Sequence, residues 1–250
     1  MKQIILPDDW TEGQITFTDE QHHYLRRVRR ISAGDILTAL DRKGRRYEIL
    51  CCETEDTKTK FQVVKNHKKS AGGIKISLIQ CLPKGQKTDQ IIRQAVELGI
   101  DEFVPAESEN TVKKVEAPKI PSKLNRWERI IREAVQQSGK KGIPSLHKPV
   151  QLLYFLGSLT LDDECVGLFF HNEPIRNEGL HTLLEGSPKK VMVVIGPEGG
   201  FSEEEVNSMM NLGFHPVYLG ENTLRTETAA IAAVSSIRLL LLERPLWRKR

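Results

Sequence analysis

Between residues 76 and 242 short apolar runs alternate with longer stretches of helical periodicity, and this rhythm restricts the possible fold more than any other feature. Runs at 76–82, 102–105, 166–170, 191–195 and 217–219 are rich in Val, Ile, Leu and Phe, as expected of strands buried on both faces of a parallel sheet. Among the helical stretches, 88–98 gathers Ile91, Ile92, Ala95, Val96 and Leu98 and closes on Gly99. Stretch 124–137 closes on Gly139, 203–212 on Gly213, and 228–242 ends before Pro245. Strands alternating with helices predict an α/β domain with a mostly parallel sheet.

The first seventy residues have a different texture. Strand patterns at 3–6, 14–17, 35–40, 46–52 and 60–64 surround one helix at 22–30, which Thr18 to Gln21 introduces as a capping box. Asp41-Arg-Lys-Gly44 supplies hairpin chemistry. The pattern predicts a small barrel-like β domain over 1–71, a flexible linker at Ser70-Ala-Gly-Gly73, and a larger domain over 74–250.

Hydrophobic residues make up 39% and charged residues 28%, with both signs abundant, which excludes a disordered chain. No apolar run approaches the ~18 residues of a membrane span, and Met1 to Trp10 does not read as a signal peptide, so a cytoplasmic protein is expected. Cys51, Cys52, Cys81 and Cys165 form no CxxC pair, so buried free thiols and no metal site are expected. A net charge of +4 is mild, but Arg26, Arg27, Arg29, Arg30, Arg45 and Arg46 cluster near the N-terminus, and 113–148 is rich in Lys and Arg. Such clusters are either solvated faces or an RNA-binding footprint.

In an open α/β sheet, ligands bind beyond the C-terminal ends of strands. Three loops there stand out. Gly196-Pro-Glu-Gly-Gly-Phe-Ser202 follows one strand, with Ser202 and Glu205 as a capping box. It lacks the spacing of a dinucleotide fingerprint and the lysine of a P-loop, and a tight connection without ligand is the plain alternative. Gly220-Glu-Asn-Thr-Leu-Arg-Thr-Glu-Thr-Ala229 opens a helix rich in small residues, and its Arg225 either serves a ligand or pairs with Glu221 or Glu227. Phe170-His-Asn-Glu-Pro174 closes another strand, with His171 and Glu173.

The glycine loop and Leu224-Arg-Thr-Glu-Thr-Ala229 together resemble the SPOUT methyltransferases, specifically the RsmE family that methylates uridine N3 in small-subunit ribosomal RNA. The resemblance continues through Pro83-Lys-Gly85, Ala95 to Gly99, Pro105 with Ser108-Glu109, Arg126-Trp127, Glu133 to Gly139 and His23 to Arg30, in order and over nearly the whole chain. It departs at Lys140, where the family usually has arginine, and at Gln86-Lys-Thr88. It implies a C-terminal trefoil-knotted α/β domain with a PUA-like β-barrel at the N-terminus, a homodimer, and S-adenosyl-L-methionine held by Phe170, His171, Asn172, Ile195, Gly196, Pro197, Glu198, Gly199, Gly200, Leu219, Gly220, Leu224, Arg225 and Thr226. The implied partner is 16S rRNA or the small ribosomal subunit, with Lys84 joining the six N-terminal arginines in holding RNA.

On this reading Arg225 is the catalytic residue, because a fixed guanidinium can stabilise the anion that develops as uridine N3 loses its proton. Glu198 and Glu227 are weaker candidates, as bases. Two rivals remain: a noncatalytic rRNA-binding or ribosome-assembly protein that keeps the fold, and a nucleotide-dependent enzyme with phosphate on Gly196 to Gly200.

Overall fold

The computed structural model describes residues 3–7, 10–11, 13–67, 73–112, 114–176, 178–186 and 188–247, without the side chains of 244–247. The expected linker residues Ser70, Ala71 and Gly72, together with Lys113 and the 248–250 tail, lie outside the described residues. Two compact units form: Met1–Ala71 with Arg132–Ile143, and Gly72–Ile131 with Pro144–Arg250.

In the first unit, β1 (Ile4–Ile5), β2 (Gln14–Thr18), β3 (Ile36–Leu40), β4 (Arg46–Thr54) and β5 (Lys58–His67) make a sheet of order β1-β3-β4-β5-β2. β1 runs parallel to β3, and the other pairs are antiparallel. Period-two alternation puts Ile15 and Phe17 of β2, Tyr47, Ile49 and Cys51 of β4, and Phe61 of β5 into one core with Leu25. The hairpin between β3 and β4 turns on buried Asp41, whose carboxylate accepts from the Arg45 amide at 2.8 Å and from Arg45 Nε at 2.7 Å.

The helix departs from expectation. Asp19 takes a left-handed φ of 50°, and the Thr18 hydroxyl donates to the adjacent Asp19 carboxylate instead of capping an amide. After α1 (Asp19–His23) the chain winds into a π-helical turn, Tyr24–Val28, which ends two residues early as Arg30 swings to a φ of 53°. Arg29 and Arg30 therefore leave the helix, and the wider winding takes Arg26 and Arg27 off α-helical spacing.

The second unit holds β6 (Lys75–Cys81), β7 (Glu102–Glu107), β8 (Ser145–Leu146), β9 (Val150–Gln151), β10 (Cys165–His171), β11 (Lys190–Ile195) and β12 (His215–Tyr218). All pairings are parallel, in the order β12-β10-β11-β6-β7-β8 with β9 also on β7. The helices are α2 (Lys87–Glu97), α3 (Ile120–Ser138), α4 (Leu152–Gly157), α5 (Leu180–Leu183), α6 (Glu203–Asn211) and α7 (Thr226–Trp247). α3 contributes residues to both units, its last turns grouping with the first. The glycine stops appear as left-handed residues, with φ of 97° at Gly99, 76° at Gly139 and 85° at Gly213. α7, by contrast, runs through Pro245 to Trp247, so proline falls inside its last turn instead of beyond it.

Asp89 on α2 accepts from Arg126 Nε at 2.7 Å and Trp127 Nε1 at 3.2 Å on α3. From α7, Arg238 donates Nε to Leu98 O at 3.2 Å and Nη2 to Gly99 O at 2.5 Å, capping the end of α2. The cysteines are free, but only Cys51 and Cys81 are buried; Cys52 is exposed because strand alternation turns it away from its neighbour. Among the described residues, no helix is long and apolar enough to cross a membrane.

Candidate active site

Parallel pairing puts the ends of β10, β11 and β12 on one edge, where Phe170 is level with Ile195 and Val217. The loops leaving these strands enclose a cavity of about 550 Å³, within the usual range for small-molecule sites. Its lining contains all three stretches singled out in the sequence: Phe170 to Asn172, Ile195 to Gly200, and Leu219, Gly220 and Leu224 to Thr226. Glu173, Phe201, Asn222, Thr223 and Ala229 complete it.

The glycines have separate reasons. A Cβ on Gly196 would stand 3.3 Å from the Phe201 ring, itself edge-on to Phe169, and one on Gly199 would stand 3.0 Å from Asn110 Cβ. Gly200 and Gly220 adopt φ of 70° and 112°, which favour glycine. The result is a wall in which four glycines, Gly196, Gly199, Gly200 and Gly220, leave main chain open to a ligand.

Several side chains outside the cavity hold this wall. Gln80 Nε2, buried on β6, donates to Thr226 Oγ1 at 3.0 Å, and that hydroxyl donates to Gly196 O at 2.6 Å. Asn110 Nδ2 donates to the carbonyls of Gly199 and Gly200, each at 3.2 Å. Glu205 completes the expected capping box with Ser202, and its second oxygen accepts from the Glu109 amide at 2.8 Å. Sequence reasoning missed Gln80 and Asn110 as supports. A buried glutamine inside a mostly apolar strand was the available signal for Gln80; the Asn110 bond crosses ninety positions and leaves none.

Lys87, outside the lining, braces the glycine loop through Glu198. Its ammonium lies 2.8 Å from Glu198 and 3.3 Å from Glu227, while the Lys84 amide donates to both Glu198 oxygens at 3.3 Å. Burial pushes the Glu198 carboxyl up, but Lys87 and these backbone amides outweigh it and hold the group below the usual carboxylate range. Arg225 is exposed at the cavity wall, and its carbonyl accepts the first α7 bond from Ala229 N at 2.8 Å. Neither acid suggested as its partner takes it: Glu227 pairs with Lys87, and among the described residues no ion pair joins Arg225 to an acid.

The N-terminal arginines differ from one another. Arg26 Nη1 is held by the Glu55 carbonyl at 2.9 Å and the Asp56 carboxylate at 2.8 Å. Arg45 is fixed by Asp41, and Arg46 Nη2 donates to Gln3 Oε1 at 3.1 Å. Arg27 and Arg30 are exposed, as is Lys84, so these three side chains stand open to solvent.

The family model of an RNA methyltransferase domain matches residues 69–238. The chain is also 31% identical over 243 residues to the ribosomal RNA small subunit methyltransferase E of Synechocystis, a match covering 95% of this chain and 77% of that protein. The chain belongs to this RNA methyltransferase family. Its counterpart in Aquifex aeolicus is 34% identical over 231 residues, covering 90% of each protein. The crystal structure of the methyltransferase E of Neisseria gonorrhoeae, bound to S-adenosyl methionine, superposes with a TM-score of 0.83 at 26% identity, covering 96% of this chain and 98% of that one. The SPOUT-type α/β domain with a small N-terminal β domain, expected from the resemblance, is thus the fold of this methyltransferase.

Such a donor fits the site. Main-chain donors and acceptors from three loops can take an adenine and ribose, and the apolar Phe170, Ile195 and Leu224 can take its flat base. Phosphate fits poorly, because Glu203, Glu204 and Glu205 fill the first turn of α6 and the capping box already uses the amides of Ser202 and Glu205.

Proposed function

We propose that this chain transfers a methyl group from S-adenosyl-L-methionine to N3 of a uridine in 16S rRNA of the small ribosomal subunit, with its second unit doing the chemistry and its first holding RNA. The observation that carries this reading is the glycine-bearing cavity between the ends of β10, β11 and β12, in a chain of the RNA methyltransferase family.

When bound, the donor supplies an electrophilic methyl group on a cationic sulfur. The three loops hold it, and Gln80, Thr226, Asn110 and Glu205 keep those loops in register. Uridine N3 lies on the Watson-Crick edge, so the base must be unpaired or extruded to enter. Arg225 at the cavity wall places a permanent cation against the uracil oxygens as N3 loses its proton, which stabilises the anion that attacks. Glu198 is a poor acceptor for that proton, being held ionised by the Lys87 ammonium and the Lys84 amide. Its part is to position the loop.

The active form is a cytoplasmic homodimer. On α7, Ala230, Ala233, Val234 and Ile237 are fully buried while Leu239 and Leu242 on another side are 55% and 67% exposed, so the helix is apolar beyond the stripe its own unit covers. Light scattering should give twice the 28.4 kDa chain mass.

The deciding experiment is nucleoside mass spectrometry of 16S rRNA incubated with enzyme and donor, as free RNA and as assembled subunits. Appearance of N3-methyluridine supports the reading. A methylated product on another base atom overturns the N3 assignment, and donor binding without product favours a noncatalytic assembly protein.

A further inference from the structure

The first unit carries a pocket of its own, of about 210 Å³, lined by His22, His23, Arg26, Arg27 and Asp56. That is several times the ~30 Å³ share of one water molecule, and leaves room for a phosphate group. Every lining residue is basic or acidic, so the pocket suits a charged ligand.

Its walls are built by bonds between the helical segment and the turn that joins β4 to β5. His22 is 6% exposed; its Nε2 donates to the Asp56 carbonyl at 3.0 Å, and its Nδ1 lies 2.9 Å from the Thr59 hydroxyl. Arg26 Nη1 donates to the Glu55 carbonyl at 2.9 Å and to the Asp56 carboxylate at 2.8 Å. These bonds use one nitrogen of Arg26. Its Nε and Nη2, the pair that can meet an anion with two parallel bonds, bond to nothing among the described residues. Nor do the side chains of His23 and Arg27.

We infer that this pocket seats one phosphate group of the RNA backbone, on the Nε–Nη2 edge of Arg26 and the guanidinium of Arg27, with His23 as a third donor; the seat presupposes the RNA-holding role of the first unit given above. Two arginines against one carboxylate favour an anion. Asp56 is 94% exposed, where salt screens its repulsion. It also fixes Arg26 before RNA arrives, which lowers the ordering cost of binding. Because Asp56 offsets the charge of Arg26, Arg27 carries the larger share of the attraction. Such a seat sets the register of the RNA on the first unit without reading its sequence.

Charge-conserving substitution tests the seat, since a diffuse positive face needs only charge whereas a seat needs the planar fork. Arg27→Lys should weaken binding of 16S rRNA about tenfold at fixed salt, with Tm unchanged. Asp56→Asn keeps an oxygen for Arg26 Nη1 and should bind RNA about two- to fivefold more tightly than Asp56→Ala, which removes the same charge and lets Arg26 loose. If Arg27→Gln/Arg30→Gln leaves RNA affinity unchanged, the RNA-holding reading of the first unit fails. If that pair weakens binding while Arg27→Lys binds like the parent, or if the two Asp56 variants bind alike, RNA is held by a diffuse field and the phosphate seat is overturned.

Discussion

Asn110 donates its side-chain amide to the carbonyl of Gly199 at 3.2 Å, and a Cβ on Gly199 would stand 3.0 Å from Asn110 Cβ. The loop after β7 thereby sets the position of the loop after β11. Asn110→Ala removes bonds worth about 0.5–1.5 kcal/mol each, so donor Kd should rise about two- to tenfold, measured by calorimetry. Gly199→Ala should act in the same direction by pushing the two loops apart. Unchanged affinity in both would detach Asn110 from the donor site.

Arg225→Ala should lower single-turnover methylation about a hundredfold or more, the scale on which enzymes lose a preorganised charge-stabilising group. Its circular dichroism and Tm should stay close to those of the parent, since Arg225 is exposed.

Donor or its demethylated product should raise Tm, because a ligand that binds only the folded state stabilises by about 2.7 kcal/mol at a hundred times its Kd. Scanning calorimetry against ATP as comparator should show the shift for the donor alone. A shift with ATP instead would restore the nucleotide-dependent alternative.

Glu102 predicts an acid-side dependence. Burial raises its carboxyl, but bonds from Ser77, Lys190 and His147 outweigh that and hold it below its ordinary 4.5. A depressed carboxylate contributes stability that is present above the unfolded value and lost as pH falls through the lower folded one. Glu102→Gln should therefore be less stable than the parent near pH 7, by about 1–3 kcal/mol. The difference should narrow below 4.5, measured by urea titration at stepped pH. A gap that stays constant into acid would show that the charge of Glu102 contributes nothing.

RNA binding should depend on Arg27 and Arg30 more than on Arg26, which already serves Asp56 and the Glu55 carbonyl. Removing one phosphate-bound cation should flatten the plot of log affinity against log salt by about 0.7–0.9 units. Arg27→Gln/Arg30→Gln should reduce the slope and leave donor affinity unchanged, whereas a solvated surface would leave both unchanged.

Long periodic elements and short loop motifs were legible in the sequence because each is encoded within a few residues. The apolar strands, the glycine stops of α2, α3 and α6, and the Ser202–Glu205 cap needed no tertiary information. β8, β9, α4 and α5 are too short for periodicity to register. The Thr18 cap failed because Asp19, one position on, competes for the hydroxyl, and the π-helical turn that follows has no composition signal. In the site, the loops that line the cavity carry glycines and an arginine that mark them. The residues that hold those loops, Gln80, Lys87 and Asn110, come from other elements, and only folding brings them within reach.

The first unit is discontinuous in sequence. Gln3 bonds through its side chain to the carbonyls of Val135 at 3.1 Å and Lys140 at 2.6 Å, and Arg132–Ile143 belongs to the same compact unit. During translation, then, the small β unit has its whole sheet and core when residue 71 leaves the ribosome, but not its last segment, Arg132–Ile143. The bonds of Gln3 must wait until Lys140 has emerged, by which time β6, α2, β7 and all of α3 have also been made. A nascent chain stalled between those points carries an unfinished N-terminal unit, so the two units mature in overlapping windows of synthesis.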